Sequence, residues 1–285
     1  MSADSAGAAP GPVVEADWLA GHLGDPEVAL LHVSNSREEY DAGHLPAAVY
    51  AHGYDDFSVE RESIRALVPD REQIAETLGR LGVRPGGRVV LYAGHPSPWP
   101  SRAYWVLRYF GWPRVHIAGA ALPALARAGL PVSHEPVAPE ATIVEVGEPD
   151  ASLLASYQEV LAVAHGEGGA SAQVLDCRTT KEHRGEGTGT QAAPRMGRVP
   201  GSIHMNWEML LDEDGGFLPR EQLRSLYAAA SVDGSREVFP YCGGGIRSAA
   251  SWFVMHELLG FAGARNYDGS WAEWSRRPEL PIETG

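Results

Sequence analysis

Val89-Val-Leu-Tyr-Ala-Gly94 and Val238-Phe-Pro-Tyr-Cys-Gly243 are one short phrase written twice: an apolar run ending in tyrosine, then a small residue and a glycine. Tyr92 and Tyr241 lie 149 positions apart, and the offset persists downstream. Gly111 closes the helical pattern that starts at Ser101, and Gly260 closes the one that starts at Ser248. Upstream, Gly43-His-Leu-Pro46 pairs with Gly197-Arg-Val-Pro200, and Val28–Val33 pairs with Gln173–Asp176. Self-similarity at a long fixed spacing is a duplication. Each copy reads as short apolar strand, polar turn, Gly-x-x-Pro loop, amphipathic helix, apolar strand, tight loop, helix closed by glycine, short strand. That alternation predicts an α/β fold of two tandem units, each a mostly parallel sheet flanked by helices. Gly79, Gly82, Gly111 and Gly260 fall where left-handed helix caps are wanted. The copies are not equivalent, because Glu182 to Gly197 carries roughly a dozen more residues than Glu39 to Gly43.

The 285 residues are 44% hydrophobic and 21% charged, an ordinary globular composition with room for two medium domains. Residues 133–149, rich in Pro and Glu, make the natural linker. The expected organisation is a tail at 1–12, a first unit at 13–132, the linker, and a second unit at 150–285. A net charge of −14 leaves no basic surface for a phosphate backbone, so no nucleic-acid partner is expected. The first twelve residues lack the basic and apolar regions of a signal peptide, and no run of eighteen apolar residues occurs; the expectation is a soluble protein with no membrane partner. Two cysteines, Cys177 and Cys242, argue against a disulfide scaffold or a multi-cysteine zinc site and for a reducing, cytoplasmic setting. The 11 histidines show no metal-ligand spacing, so no metal is expected, and His44, His183 and His204 read as packing or hydrogen-bonding residues.

In the second copy the strand ending at Tyr241 runs into Cys242-Gly243-Gly244-Gly245-Ile246-Arg247, and Ser248 opens a helix. A cysteine at the carboxyl end of a parallel strand sits where such sheets place ligands. Three glycines let backbone N–H groups converge on the sulfur, and together with the helix end they favour thiolate over thiol. The bland reading is a buried, inert thiol. The first copy has Ala93 at the cysteine position, followed by Gly-His-Pro-Ser-Pro98, and Pro96 and Pro98 each delete an N–H donor. One copy carries the nucleophile and the other cannot.

At this point the chain resembles the tandem-domain rhodanese-like sulfurtransferases, which include thiosulfate and 3-mercaptopyruvate sulfurtransferases. Ala264-Arg-Asn-Tyr-Asp-Gly-Ser-Trp-Ala-Glu-Trp274 matches the family's C-terminal signature, and Tyr40, Gly43, His44, Leu45 and Pro46 match its first-domain signature, with Ala47 where that pattern has glycine. The resemblance implies an inactive first domain and a catalytic second one. It also implies a two-step transfer: Cys242 takes the outer sulfur of a small anionic donor as a persulfide, and cyanide or a thiol acceptor, a thioredoxin-like protein among the candidates, removes it. No cofactor is implied.

An anionic donor calls for a cationic clamp, and Arg178 and Arg184 match the family's substrate arginines. The alternatives for these two are a solvated loop arginine or an ion pair with Asp176 or Glu182. Arg247 either faces the pocket or pairs with Asp176 and braces the loop. The residues after Cys242 match neither the vertebrate thiosulfate loop, which has Arg-Lys, nor the usual mercaptopyruvate loop, where Gly244 would be serine. Asp268-Gly-Ser-Trp271 and Arg247-Ser248 look closest to bacterial thiosulfate sulfurtransferases, making thiosulfate the favoured donor.

Two further classes compete. Cysteine phosphatases and arsenate reductases place five residues between nucleophile and arginine, whereas Cys242 to Arg247 encloses four. A non-enzymatic persulfide carrier or regulatory module, fed by a protein partner, needs the same cysteine. Cys177 reads as a half-buried structural thiol, with a disulfide to Cys242 as the alternative. Trp252, Trp271 and Trp274 read as core or interface aromatics. The Gly-rich stretch at 185–190 is a loop that could cover the site, carrying Arg184, Arg195 or Arg198 with it. The pocket is expected between the halves, with the Asp55-Asp56 and His95 regions as first-half candidates.

Overall fold

The computed structural model describes residues 10–167, 171–186 and 193–285. In chain order the first half runs β1 (Val13–Val14), α1 (Ala16–His22), β2 (Val28–Ser34), α2 (Arg37–Asp41), β3 (Val49–His52), α3 (Gly53–Phe57), β4 (Val59–Arg61), β5 (Ile64–Leu67), α4 (Arg71–Arg80), β6 (Arg88–Tyr92), α5 (Trp99–Tyr109), β7 (Val115–Ala118) and α6 (Leu122–Arg127). The second half runs α7 (Tyr157–Ala164), β8 (Ala172–Asp176), α8 (Thr180–Arg184), β9 (Ile203–His204), α9 (Arg220–Ala229), β10 (Glu237–Tyr241), α10 (Arg247–Phe253, extended by a π-helical turn to Leu258) and α11 (Ser270–Trp274).

The first half forms a five-stranded parallel sheet in the order β1-β7-β6-β2-β3, and the second a three-stranded one, β10-β8-β9. The smaller sheet is continued by single parallel bridges: Val238 to Ala264 stands where β6 pairs with β7, and Leu154 to Asn266 where β1 pairs with β7. The duplication reaches individual hydrogen bonds. Leu45 N–H donates to the Tyr92 hydroxyl at 2.9 Å, and Val199 N–H, at the matching place, to the Tyr241 hydroxyl at 3.2 Å. Helices α5 and α10, each following the cysteine-position loop of its own half, pack together, and one continuous core holds Trp105, Leu31 and Val89 with Trp252, Phe253 and Val238.

One expectation, a helix cap at Gly79, is corrected. Gly79 is inside α4 and caps nothing; an added Cβ would meet the Thr142 carbonyl oxygen at 2.4 Å, so glycine there admits the passing linker. The linker itself is pinned to the first half, through Thr142 N–H to Gly79 and Gly147 N–H to Phe110, at 2.9 and 2.8 Å. The tail expected through residue 12 lies outside the described residues as far as residue 9, whereas Gly11 and Pro12 already accept hydrogen bonds from His116 and Ile117. The antiparallel hairpin β4–β5 is absent from the alternating pattern.

Candidate active site

Cys242 follows the last residue of β10, and its loop is held with carbonyls outward. Trp271 N–H donates to the Cys242 carbonyl (3.0 Å) and Ala272 N–H to that of Gly243 (2.8 Å). The Ser270 hydroxyl donates to the Tyr267 carbonyl and accepts the N–H groups of Cys242 (3.0 Å) and Gly245 (2.9 Å). Gly245 has φ +70, and a Cβ would strike Asp268, so the bend requires glycine. Ile246 precedes α10 and is buried. The sulfur is met by the N–H groups of Gly244 and Ser248 and by the Ser248 hydroxyl, 3.6 Å away. Cys242 is only 1% exposed. Burial opposes its ionisation but is outweighed by the Arg247 charge, then by the Ser248 and Gly244 donors, so the thiol's pKa lies below its ordinary value.

The arginines divide sharply. Arg247 is bidentate on Glu182, with both contacts at 2.8 Å, so its charge reaches the sulfur while its partner is Glu182 and not Asp176. Glu182 is held down to about 2: burial opposes this, but Arg247 and the Thr179 cap prevail. Arg178 is fully buried, giving Nε and Nη2 to Asp176 (2.8 and 2.7 Å) and Nη2 to the Gly197 carbonyl (2.8 Å), with its guanidinium 4.6 Å over Trp271. The ion pair with Asp176 is therefore the reading that the geometry shows for Arg178. Arg184 is exposed, its nearest carboxylate Glu186 at 4.0 Å. Arg195 and Arg198 are tied to the C-terminal segment through Ser275, Leu280 and Glu283, so they do not belong to a moving cover. Residues 187–190 of the expected covering loop lie outside the described residues.

Both cysteines are free, and Cys177 is wholly buried, not half-buried; burial pushes its thiol well up. His183 meets Asp176 at 2.9 Å, His204 meets the Arg178 carbonyl at 2.8 Å, and His44 stacks on Tyr40. Trp252, Trp271 and Trp274 are all buried.

The first half supplies the outer wall. Hairpin β4–β5 lies against the cysteine loop so closely that a Cβ on Gly244 would sit 3.2 Å from Ala66 Cβ and 3.3 Å from the Arg65 carbonyl. That crowding explains the glycine where a serine was the alternative. Buried Arg102 of α5 locks the contact, donating to the carbonyls of Ala66 (2.8 Å) and Phe57 (3.2 Å) and to Asp268 Oδ1 (2.5 Å), while Asp268 Oδ2 accepts Val68 N–H at 2.6 Å. Beside the hairpin is a cleft of about 270 Å³ bordered by Tyr54, Asp55, Ser58, Glu60 and Arg65. Burial and then a charge on Cys242 raise the Tyr54 phenol above its ordinary value. Of the first-half candidates only Asp55 borders this cleft. Asp56 is paired with Arg80, and His95 with Glu39 (3.1 Å). Tyr54, Arg65 and Arg102 carried no motif in the sequence; Asp268 and Ser270 did, inside the signature at 264–274.

In the first half Glu39 fills the corresponding loop. It accepts Gly94 N–H (2.9 Å) and the Ser34 hydroxyl (2.7 Å), and meets His32 at 3.2 Å.

A strand, a sulfur-bearing glycine loop and a helix, duplicated once without the sulfur, define a tandem α/β protein with one activated cysteine. The chain belongs to the rhodanese-like domain family, which matches residues 15–120 and again 158–277. It is 31% identical to "Putative thiosulfate sulfurtransferase 1" of Mycobacterium bovis, over 96% of this chain and 98% of the relative, and 32% identical to "Sulfur carrier protein TtuD" of Thermus thermophilus, over 97% and 98%. Among solved structures it superposes on the anaerobic ergothioneine biosynthesis enzyme from Chlorobium limicola with a TM-score of 0.84 at 23% identity, covering 96% of this chain and 70% of that one, a likeness of fold. Family and relatives support sulfurtransferase activity. Among the described residues no helix is long and apolar enough to cross a membrane.

Proposed function

We propose that the protein is a cytoplasmic sulfurtransferase that loads sulfane sulfur from thiosulfate, with 3-mercaptopyruvate as the second donor, onto Cys242 and passes it to cyanide or a thiol. In this reading residues 13–132 are the inactive domain and 150–285 the catalytic one. The observation that carries it is the Cys242 sulfur facing the Gly244 and Ser248 N–H groups under the Arg247 charge. The thiolate attacks the outer sulfur of the donor, that sulfur's bond to the rest of the donor breaks, and sulfite or pyruvate departs with the electron pair. The same donors then stabilise charge on the persulfide. Arg184, exposed at the end of α8, is the remaining candidate among the expected donor arginines for meeting the anion.

The test is intact and peptide mass after treatment with thiosulfate, 3-mercaptopyruvate or neither, beside Cys242→Ser. One added sulfur on the Cys242 peptide, removed by cyanide and absent in the variant, supports the reading and identifies the donor. Loading by neither overturns it and favours the second reading, a carrier fed by a protein partner. The relative named a sulfur carrier is the observation behind that alternative.

A further inference from the structure

Among the described residues, the non-glycine positions with a left-handed φ are Ala47, Glu62, Ser63, Ala66, Ser231 and Ser270. Ala47, Glu62, Ser63 and Ser231 are exposed, whereas Ala66 and Ser270 are buried, and both of these lie against the cysteine loop. At Ser270 the φ of +50 suits glycine, so a side chain held there costs stability that glycine would spare. The serine supplies a hydroxyl whose hydrogen-bonding capacity is fully used. It donates to the Tyr267 carbonyl at 2.8 Å and accepts the N–H groups of Cys242 at 3.0 Å and Gly245 at 2.9 Å. Because its proton is committed to Tyr267, the oxygen can only accept from the loop. The two amides it takes are the ends of the turn from Cys242 to Gly245, and the amide between them that meets the sulfur is that of Gly244. The carbonyls of the turn are held separately, those of Cys242 and Gly243 by Trp271 and Ala272 N–H, and that of Gly245 by Asn266 Nδ2 at 3.2 Å and Arg102 Nη1 at 3.4 Å.

From this arrangement we infer that Ser270 is a positioning residue for the nucleophile: its hydroxyl closes the turn from Cys242 to Gly245 and thereby aims the Gly244 N–H at the sulfur. It acts on the sulfur through the loop amides. Without the hydroxyl, the Cys242 and Gly245 N–H groups lose a buried acceptor, and the turn is released to rotate towards other partners. The Gly244 N–H then loses its fixed direction, and the thiolate loses one of its donors. This accounts for a serine at a dihedral that suits glycine. The inference rests on Cys242 as the nucleophile of the transfer proposed above and names a residue that shapes it.

The experiment compares Ser270→Gly and Ser270→Ala with the unaltered full chain. It records the pH profile of iodoacetamide alkylation at Cys242, read by peptide mass, and the denaturant midpoint. Both variants remove the hydroxyl, but glycine relieves the dihedral and alanine keeps it, so glycine should have the higher midpoint of the two. The alkylation profile is expected to move to higher pH by the same amount in both, about one unit, with the reaction near neutrality slowed about fivefold. Arg247, Cys177 and Tyr54, the titratable groups coupled to Cys242, are the same in every variant, so a displaced profile reports the loop amides. Ile74→Val, a change in the buried core on α4, should lower the midpoint and leave the profile where it is. An unmoved profile in the Ser270 variants overturns the inference. So does a displacement that follows the midpoint, larger in alanine than in glycine and present in Ile74→Val. If the alanine variant does not fold, the glycine profile against that of Ile74→Val decides. Alkylation needs no sulfur donor, so a failure to load sulfur from thiosulfate or 3-mercaptopyruvate counts against the sulfurtransferase reading alone.

Discussion

The surroundings of one atom favour the Cys242 thiolate. Its burial would by itself favour the neutral thiol, and the Arg247 charge with two N–H groups and one hydroxyl reverses that. Arg247→Met should therefore raise the thiol's pKa, and the pH profile of iodoacetamide alkylation should move to higher pH, with a slower reaction near neutrality that recovers in alkali. An unmoved profile would show that the loop donors suffice alone. A second residue tests backbone physics without touching chemistry. Ala47 has φ +63, and its counterpart in the other half, Gly201, has φ +69. Left-handed geometry disfavours alanine by more than the extra unfolded-state freedom of glycine costs, so Ala47→Gly should stabilise the protein by about 0.5–1 kcal/mol. Denaturant unfolding would read this as a higher midpoint at unchanged slope. The departure from the family's glycine was visible in the sequence; the dihedral shows why glycine suits that position.

The elements legible in advance were those whose signal is local. The strand-loop-helix unit at 237–253 follows from an apolar run, three glycines and an apolar helix, and the duplication doubled that signal. Hairpin β4–β5 was not legible, because Glu60-Arg-Glu-Ser-Ile-Arg65 is polar, short and antiparallel inside a parallel pattern. Its place on the active site is set by contacts far apart in sequence, Val68 and Ala66 to Asp268 and Arg102, which spacing cannot reveal. For the same reason Arg178 read as a donor-binding arginine with an ion pair as the alternative, and the fold, which carries it over Trp271 into the interior, shows the ion pair. The Arg102–Asp268 pair is the clamp between the halves. Asp268→Ala would leave a buried guanidinium uncompensated and should cost about 3–5 kcal/mol of stability, with Asp268→Asn losing less because it keeps an acceptor for Val68 N–H. A loss within about 0.5 kcal/mol by chemical denaturation would show that the hairpin is held by packing alone.

At the scale of the whole chain the two halves have kept one architecture and used one anion cradle differently: the second holds the Cys242 sulfur in it, while the first turns it on its own Glu39. Both arrangements leave a trace in acid. Glu39 and Glu182 ordinarily titrate near 4.5 and are held down to about 2, in each case against the pull of burial: for Glu39 by His32, Ser34 and His95, and for Glu182 by Arg247 and Thr179. As pH falls the unfolded chain takes up these protons first, so the stability in these contacts is full above about 4.5 and is lost on the way down to about 2. Asp56, raised by burial, contributes with the opposite sign. Thermal unfolding should thus be insensitive to these groups near neutrality and weaken steeply below about 4.5, and Glu39→Gln should flatten that fall. The filled cradle also decides what the first half can do if given a nucleophile. In a Cys242→Ser background, Ala93→Cys puts a thiol at the duplicated position, yet Gly94 N–H is already bound to Glu39, and Pro96 and Pro98 supply no donors. Treated with thiosulfate, that introduced thiol should gain no sulfur by peptide mass while still reacting with iodoacetamide in the unfolded chain. A persulfide at the substituted position would mean that a thiol at a strand end is sufficient, and that the donors gathered around Cys242 are not what separates the halves.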